Sequence, residues 1–283
     1  MNITIKNLEF SAVIARKGAE LISFKKNNNK EYIWDGNPAF WGKHSPVLFP
    51  IVGTLKNDSY TYKDKTYHLS RHGFARDMEF EATQTDENQV VFTLKSNSET
   101  EKMYPFEFEL HIIYTLEQNN LNIAYKVINL DKVIIPFSLG AHPAFALPEN
   151  FKNYSLLFEY SENLISHQLA DGLISNKIFE ITQNEKSISL DYTLFENDAL
   201  IFKNLKSKSI TILENKTPVL KVKYSDFKSL GLWTVQNAPF ICIEPWLGYS
   251  DTLDATRNIF EKEGIQTIAE NQTFNCSFDI EIL

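Results

Sequence analysis

The stretch FEFELHIIYTLEQNNLNIAYKV, residues 106–127, decides the fold class of this chain. Apolar residues alternate with polar ones on both sides of residues 118–120, and a period of two residues predicts β-strands. The polar residues between the two alternating runs predict a turn, so the segment is expected to form a β-hairpin. Similar alternation recurs in four other segments, residues 90–94, 187–190, 210–224 and 274–283.

Composition extends this prediction to the whole chain. The 283 residues include 21 Phe and 12 Tyr but only 10 Gly, and helical periodicity is scarce. Turn-forming residues recur about every eight to twelve positions, which is typical of a large antiparallel β-sandwich. No linker rich in Pro, Gly, Ser or charge interrupts the pattern, and no fixed-length repeat is visible. Residues 1–283 are therefore expected to form a single all-β domain.

The charge of the chain limits its partners. A formal net charge of -8 opposes binding to nucleic-acid phosphates and to anionic lipid, so no nucleic acid and no membrane is expected as a partner. The sequence shows neither a signal-peptide pattern nor a run of about 18 apolar residues. We expect a cytoplasmic monomer or homodimer that acts on a small neutral molecule.

Cysteine and histidine spacings predict neither a metal nor a cofactor. Cys242 and Cys276 lie in apolar alternating segments and are expected to be buried thiols. The spacings of phosphate loops, dinucleotide folds, helical zinc proteases, paired-cysteine redox sites and serine hydrolases do not occur. No zinc site is expected from the six histidines, except one with a ligand set gathered from distant segments.

Three short segments, residues 71–77, 139–145 and 243–248, carry candidate catalytic groups. They contain His72, His142 and Glu244, each among turn-forming, small or aromatic residues. Histidine and glutamate are the usual proton carriers of enzymes near neutral pH. Glu244 follows an apolar strand, where a buried carboxylate requires a charged or hydrogen-bonding partner such as a histidine. We therefore predict an acid–base site for a sugar, in one pocket at the end of the sandwich.

Five segments resemble the aldose 1-epimerase (galactose mutarotase) superfamily, in particular its lac-operon-associated bacterial branch. They are GAEL (18–21), PVLFPIVG (46–53), RHGFAR (71–76), GAHP (140–143) and EPWLG (244–248), and the resemblance covers essentially the whole chain. It implies a galactose mutarotase-like β-supersandwich that interconverts the α and β anomers of a free hexose without metal or cofactor.

The resemblance also assigns roles to individual residues. The two active-site histidines of the family correspond to His72 and His142, and its catalytic base corresponds to Glu244. In that chemistry the base takes the O1 proton, His142 protonates the ring oxygen, and His72 hydrogen-bonds sugar oxygens. The substrate-holding aspartate of the family corresponds to Asp198.

One family residue is missing from this chain. The arginine that follows an early glycine is replaced in the segment GTLKN, residues 53–57, so either Lys56 or Arg76 supplies the cation. The two are not equivalent, because lysine is a point charge and arginine a planar fork of donors. Three aromatic residues are candidates for stacking on apolar sugar faces, namely Phe74, Trp233 and Trp246.

Three other functions remain open at this level. A hexose-6-phosphate 1-epimerase requires cations at the pocket rim, and the candidates are Lys43, Lys56, Arg71 and Arg76. A glycosidase requires two carboxylates flanking the scissile bond, which Asp198 and Glu244 would supply while leaving both histidines without a role. A non-catalytic carbohydrate-binding or regulatory protein needs no acid and base, so the presence of His142 and Glu244 opposes it.

Overall fold

The computed structural model describes residues 2–283, which form 24 strands, one α-helix and five 3-10 helices. The strands, in chain order, are β1 (Asn2–Lys6), β2 (Phe10–Ala15), β3 (Leu21–Lys26), β4 (Val47–Leu48), β5 (Ser59–Tyr62), β6 (Lys65–His68), β7 (Glu81–Asp86), β8 (Gln89–Lys95), β9 (Phe108–Glu117), β10 (Asn120–Asn129), β11 (Ile135–Phe137), β12 (Leu139–Ala141), β13 (Ala144–Ala146), β14 (Tyr154–Phe158), β15 (Ile165–Ala170), β16 (Leu173–Glu180), β17 (Ser187–Ser189), β18 (Leu200–Phe202), β19 (Ser209–Glu214), β20 (Thr217–Lys223), β21 (Ser229–Trp233), β22 (Phe240–Leu247), β23 (Gln266–Ile268) and β24 (Thr273–Ile282). Helix α1 spans Ser98–Met103, and the 3-10 helices span Lys56–Asp58, Ala75–Asp77, Phe151–Asn153, Tyr192–Phe195 and Ile259–Glu261.

Two large sheets dominate the architecture. The nine-stranded sheet has the order β17-β14-β19-β20-β24-β10-β9-β8-β7, and the eight-stranded sheet has the order β16-β15-β18-β21-β22-β12-β4 with β13 beside β22. Smaller sheets contain β1-β2-β3, β11-β23 and β5-β6. Neighbouring strands in the large sheets pair antiparallel. The prediction of a large antiparallel all-β sandwich is confirmed.

The hairpin predicted from residues 106–127 is confirmed as β9 and β10, in which Leu116 lies opposite Leu121. Alternate residues of both strands are buried, and those between them are partly exposed. The buried residues of this hairpin share one core with Ile241 and Ile243 of β22 in the other sheet. Burial of each large aliphatic side chain contributes about 1.5–3 kcal/mol, so this shared core holds the two sheets face to face.

Strand β22 determines where polar groups can gather, because it is buried along its whole length. Ile241 and Ile243 enter the core shared with the nine-stranded sheet. Side chains alternate across a strand, so Cys242, Glu244 and Trp246 face the opposite side. The expectation of a pocket at the end of the sandwich is therefore wrong. The pocket lies on the outer face of the eight-stranded sheet, with Glu244 inside the strand.

Both cysteines are buried as expected, and neither forms a disulfide within residues 2–283. Over the same residues, no helix is both long and apolar enough to cross a bilayer.

Candidate active site

A cavity of about 410 Å³ opens on the outer face of the eight-stranded sheet. Ligand pockets of proteins usually have volumes of about 300–1,000 Å³, so the cavity has room for a monosaccharide. It gathers seven of the nine catalytic and sugar-binding residues predicted from the sequence, namely His72, Arg76, His142, Asp198, Trp233, Glu244 and Trp246. Trp41, Lys43 and Arg71 also line it. The three segments with candidate catalytic groups thus meet in one place.

Phe74 lies in the core instead of the cavity. Its side chain is buried, and its ring centroid lies 6.2 Å from that of Phe49 and 6.1 Å from that of Phe108. The expectation that Phe74 stacks on the sugar is wrong. The short segment around His72 does not show which side chains point into the cavity and which point into the core. Phe74 points into the core, where packing against other aromatic rings stabilises it.

Lys56 is also held away from the cavity. Its Nζ donates a hydrogen bond to the Ala255 carbonyl at 3.2 Å, and its backbone N–H donates to Asp251 Oδ2 at 2.9 Å. Of the two cations considered for the missing family arginine, only Arg76 lines the cavity formed by the described residues. The expectation that Lys56 binds substrate is therefore wrong, because its contacts fix it to another loop.

His142 and Glu244 form the central contact of the site. His142 lies in the connection between β12 and β13, and both strands pair with β22. The pairing of both strands with β22 brings His142 Nε2 to 3.2 Å from Glu244 Oε2. The two side chains are 11% and 1% exposed. The partner that the sequence required for a carboxylate in an apolar strand is thus a histidine.

Burial shifts both groups toward their neutral forms. It raises the pKa of Glu244 well above its usual range, with Arg71 lowering it and Asp198 raising it further. Burial also lowers the pKa of His142 to about 3, and Arg71 and Arg76 add to that decrease. The pair titrates as a unit that keeps one proton near neutral pH. One proton shared over a hydrogen-bond distance is what an acid–base couple needs.

The backbone fixes His72 in place. Its φ is 69°, a left-handed conformation that is uncommon for residues other than glycine. Its N–H donates to the Gly53 carbonyl at 2.8 Å, and the Gly53 N–H donates back to His72 Nδ1 at 3.1 Å. A Cβ on the next residue, Gly73, would lie 2.3 Å from the Phe49 carbonyl oxygen. Only glycine therefore lets the chain turn so tightly beside His72.

These contacts determine the tautomer of His72. Burial lowers its pKa well below the usual range, with His142, Arg71 and Arg76 contributing, so the ring is neutral. Arg71 Nε lies 3.3 Å from His72 Nε2, but a neutral imidazole accepts at one nitrogen only. The fixed backbone donor of Gly53 takes Nδ1, whereas the Arg71 side chain can rotate. We therefore assign the proton to Nε2, which makes His72 a donor toward a sugar oxygen.

Two tryptophans enclose the ring of His142. Trp41 stacks on it with centroids 4.8 Å apart and an angle of 26°, and Trp233 meets it edge-on at 5.6 Å. Such contacts contribute about 0.5–1.5 kcal/mol beyond their buried area, so the imidazole is held in one orientation. Trp41 was not selected from the sequence. Its only signal is a tryptophan beside a glycine in a loop, and nothing local shows that this loop covers the outer face of the sheet.

Trp246 fits the wall of the cavity because two neighbouring strands carry glycine there. A Cβ on Gly140 would lie 2.7 Å from Trp246 Cδ1, and a Cβ on Gly231 would lie 2.7 Å from Trp246 Cζ2. Gly231 pairs directly with Glu244 across β21 and β22. The indole therefore lies flat over the sheet beside Glu244.

Three cations line the cavity. Lys43 Nζ lies 3.7 Å from one oxygen of Asp77, and Arg76 Nε lies 3.5 Å from the other. Both distances exceed the roughly 2.7–2.9 Å of a strong charge-assisted hydrogen bond. Lys43 and Arg76 therefore keep donors for a ligand, and Arg71 adds a third positive charge beside the histidines.

Comparison with known proteins agrees with the fold and identifies a family. The sequence matches the family described as aldose 1-epimerase over residues 1–260. It is 35% identical to the chromosomal protein LacX of Lactococcus lactis subsp. lactis, covering 100% of both chains. A galactose mutarotase related enzyme from Lactobacillus acidophilus superposes with a TM-score of 0.94 at 35% identity, covering 100% of this chain and 97% of that one. A galactose mutarotase-like protein from Lactobacillus casei gives a TM-score of 0.94 at 31% identity, covering 100% of both.

Proposed function

Since this chain belongs to the aldose 1-epimerase family, we propose that it interconverts the α and β anomers of a hexose. The observation that carries the proposal is the 3.2 Å contact between His142 and Glu244. The contact lies in a cavity with room for one sugar ring, and an acid beside a base is what opening a hemiacetal requires.

In the proposed reaction, the shared proton, which burial places on Glu244, first passes to His142, so ring opening begins with His142 protonated and Glu244 ionised. Glu244 removes the O1 proton as His142 protonates the ring oxygen, and the bond between C1 and the ring oxygen breaks. The product is an open-chain aldehyde. After rotation about the C1–C2 bond, the ring oxygen attacks the other face of C1, returns its proton to His142, and O1 recovers the proton held by Glu244.

The remaining cavity residues position the sugar. His72, with its proton on Nε2, donates to the ring oxygen or to a neighbouring hydroxyl. Asp198 accepts from hydroxyls, and Trp233 and Trp246 offer surfaces for apolar sugar faces. A glycosidase fits these contacts less well, because Glu244 is paired with a histidine instead of working with a second carboxylate.

Anomer exchange tests the proposal directly. We expect the purified protein to accelerate the optical rotation change of freshly dissolved galactose or a related hexose in proportion to enzyme concentration. Polarimetry measures the rate, and NMR identifies the anomers. A panel of free aldoses and hexose 6-phosphates tests reaction and substrate together. If the protein accelerates anomer exchange of none of these sugars, the epimerase assignment is refuted.

A hexose 6-phosphate is the second candidate substrate, and the three cations of the cavity favour it. Lys43, Arg71 and Arg76 can pair with a phosphate dianion, and arginine does so with two parallel donors. Phosphate esters would then react with a lower KM than the corresponding free sugars.

Removing the cations Lys43 and Arg76 distinguishes the two substrates. If the phosphate is bound, Lys43→Gln and Arg76→Gln should each raise KM for hexose 6-phosphates about tenfold or more, because hydrogen bonds to charged groups contribute about 1.5–3 kcal/mol. Lys43→Gln should change the KM for free hexoses little, and Arg76→Gln should raise it less than the KM for the phosphate esters. Lys216→Gln, an exposed lysine in the turn between β19 and β20, is the control for lost surface charge. Equal effects on phosphorylated and free sugars would exclude this role.

A further inference from the structure

A third potential ligand lies beside the acid–base pair. One nitrogen of His142, the sulfur of Cys242 and one carboxylate oxygen of Glu244 lie within 4.8 Å of one another, and all three residues are buried. Cys242 and Glu244 are two residues apart on the same face of β22, as strand geometry requires. Ala144, two residues after His142, pairs directly with Cys242. The backbone of two paired strands therefore fixes the group.

The proposed reaction leaves part of this group unused. The Cys242 thiol takes no part in ring opening. Among residues 2–283, Glu244 Oε2 is a buried polar atom that accepts no hydrogen bond, since its 3.2 Å approach to His142 Nε2 is not aligned as one. Buried polar atoms in native proteins are nearly always paired, so this carboxylate oxygen beside a thiol indicates that the group accepts a further ligand.

We propose that His142, Cys242 and Glu244 bind a divalent zinc ion, and that the bound ion blocks the catalytic pair. Nitrogen, sulfur and oxygen are the three donor types that Zn²⁺ takes from proteins. Zinc–ligand distances of about 2.0–2.3 Å place the donors of a tetrahedral site roughly 3.3–3.8 Å apart. Side-chain rotations that move the donor atoms by about 1 Å bring the nitrogen, sulfur and oxygen into that range.

Charge balance favours this ion in a buried position. A thiolate and a carboxylate cancel the two positive charges of zinc, and a neutral imidazole adds none, so the loaded site carries no net charge. A buried group without net charge avoids most of the penalty of transferring an isolated ion from water. The thiol proton and the proton shared by His142 and Glu244 leave to bulk water on binding. The fourth position is left to a water molecule or a sugar hydroxyl from the cavity.

Occupation of the site has a direct consequence for catalysis. The ion coordinates both the catalytic acid, His142, and the base, Glu244. Zinc should therefore inhibit anomer exchange reversibly, and a chelator should restore the rate. The inhibition rests on the proposed function, whereas binding of the ion does not. The two parts can therefore be tested separately.

The first experiment measures binding alone. Equilibrium dialysis with Zn²⁺ and metal analysis should show one ion per chain. Co²⁺ as a substitute should give a thiolate-to-cobalt charge-transfer band in the near ultraviolet. Cys242→Ser should abolish the band and weaken zinc binding at least about tenfold, as expected for loss of one of three ligands. Cys276→Ser removes the other buried thiol and should behave like the parent protein.

The second experiment measures anomer exchange with and without zinc. Cys242→Ser should keep the parental rate without zinc and should resist inhibition by zinc. Should Cys242→Ser fail to fold, His142→Gln in the dialysis assay removes a second ligand and should weaken binding similarly.

Three results would overturn the proposal. The first is unchanged zinc binding in Cys242→Ser or, when that variant does not fold, in His142→Gln. The second is the absence of a cobalt–thiolate band in the parent protein. The third is stoichiometric zinc binding without loss of anomer exchange, which contradicts the blocking role. A protein that exchanges no anomers still gives a full dialysis and cobalt result, so failure of the proposed function is distinguishable from failure of the metal site.

Discussion

Replacement of Glu244 by glutamine should lower kcat for anomer exchange by about 10²–10⁴-fold, the usual contribution of a general base. Glutamine keeps nearly the same shape and one acceptor oxygen, but it cannot take the O1 proton. Sugar affinity should change little, because the lost interaction belongs to the transition state and not to the bound sugar. Polarimetry gives kcat and KM, and calorimetry or fluorescence of the cavity tryptophans gives the dissociation constant.

The contrasting variant is Asp198→Asn. Asp198 lines the same cavity, but its proposed role is to accept hydroxyls in the ground state and in the transition state alike. Uniform binding of this kind affects KM more than kcat, so Asp198→Asn should mainly weaken affinity. Parental turnover by Glu244→Gln would remove the base assignment and most of the support for an enzyme of this kind. An equal loss of affinity in both variants would show that Glu244 only binds the sugar.

Local sequence predicted the elements of this fold better than their surroundings. A two-residue period identified the hairpin of β9 and β10 because one face of each strand is buried and the other is not. In β22 both faces are buried, and periodicity cannot show which neighbours cover each face. The position of the cavity on the outer face depends on a distant loop around Trp41. A single segment carries no record of such long-range packing.

The same limit explains the outcome for individual site residues. His72, His142 and Glu244 were recognisable because polar side chains beside glycine, proline or an apolar strand need an explanation in local terms. The directions in which the side chains of Phe74 and Lys56 point were not recognisable, since each depends on contacts with residues distant in the sequence. Phe74 packs on Phe49, and Lys56 is tied to a loop about 195 residues further on, at Asp251 and Ala255. Residue type predicted the chemistry, and tertiary contacts decided which side chains reach the cavity.

The largest expected effect on stability comes from the buried ion pair of Lys262 and Asp251. Lys262 Nζ lies 2.8 Å from Asp251 Oδ1 and also donates to the Tyr249 carbonyl at 2.6 Å, and both charged side chains are 3% exposed. Burial lowers the pKa of Lys262, and the carboxylate of Asp251 opposes that decrease. Asp251 also holds the loop that leads from Gly53 to Lys56, because its carboxylate accepts from the Lys56 N–H and its backbone N–H donates to the Thr54 carbonyl.

Replacement of Lys262 by methionine should lower the free energy of unfolding by about 3–5 kcal/mol, the usual cost of leaving a buried charge without its partner. The double variant Lys262→Met/Asp251→Asn should recover much of this loss, because asparagine carries no charge and can still accept from the Lys56 N–H. Urea unfolding curves with a common slope give the three free energies. A Lys262→Met protein as stable as the parent would show that water or a rearranged loop solvates the carboxylate.

An exposed pair of almost the same length shows why burial, and not the contact itself, produces the effect. Lys102 Nζ lies 2.7 Å from Glu99 in helix α1, and these side chains are 67% and 69% exposed. Lys102→Met should therefore change the free energy of unfolding by less than about 1 kcal/mol, as for other surface ion pairs. Comparable losses from Lys262→Met and Lys102→Met would contradict the argument from burial. Asp251 restrains the loop that contains Gly53, and Gly53 fixes His72. Lys262→Met should therefore also raise the KM for the sugar at temperatures where the protein remains folded.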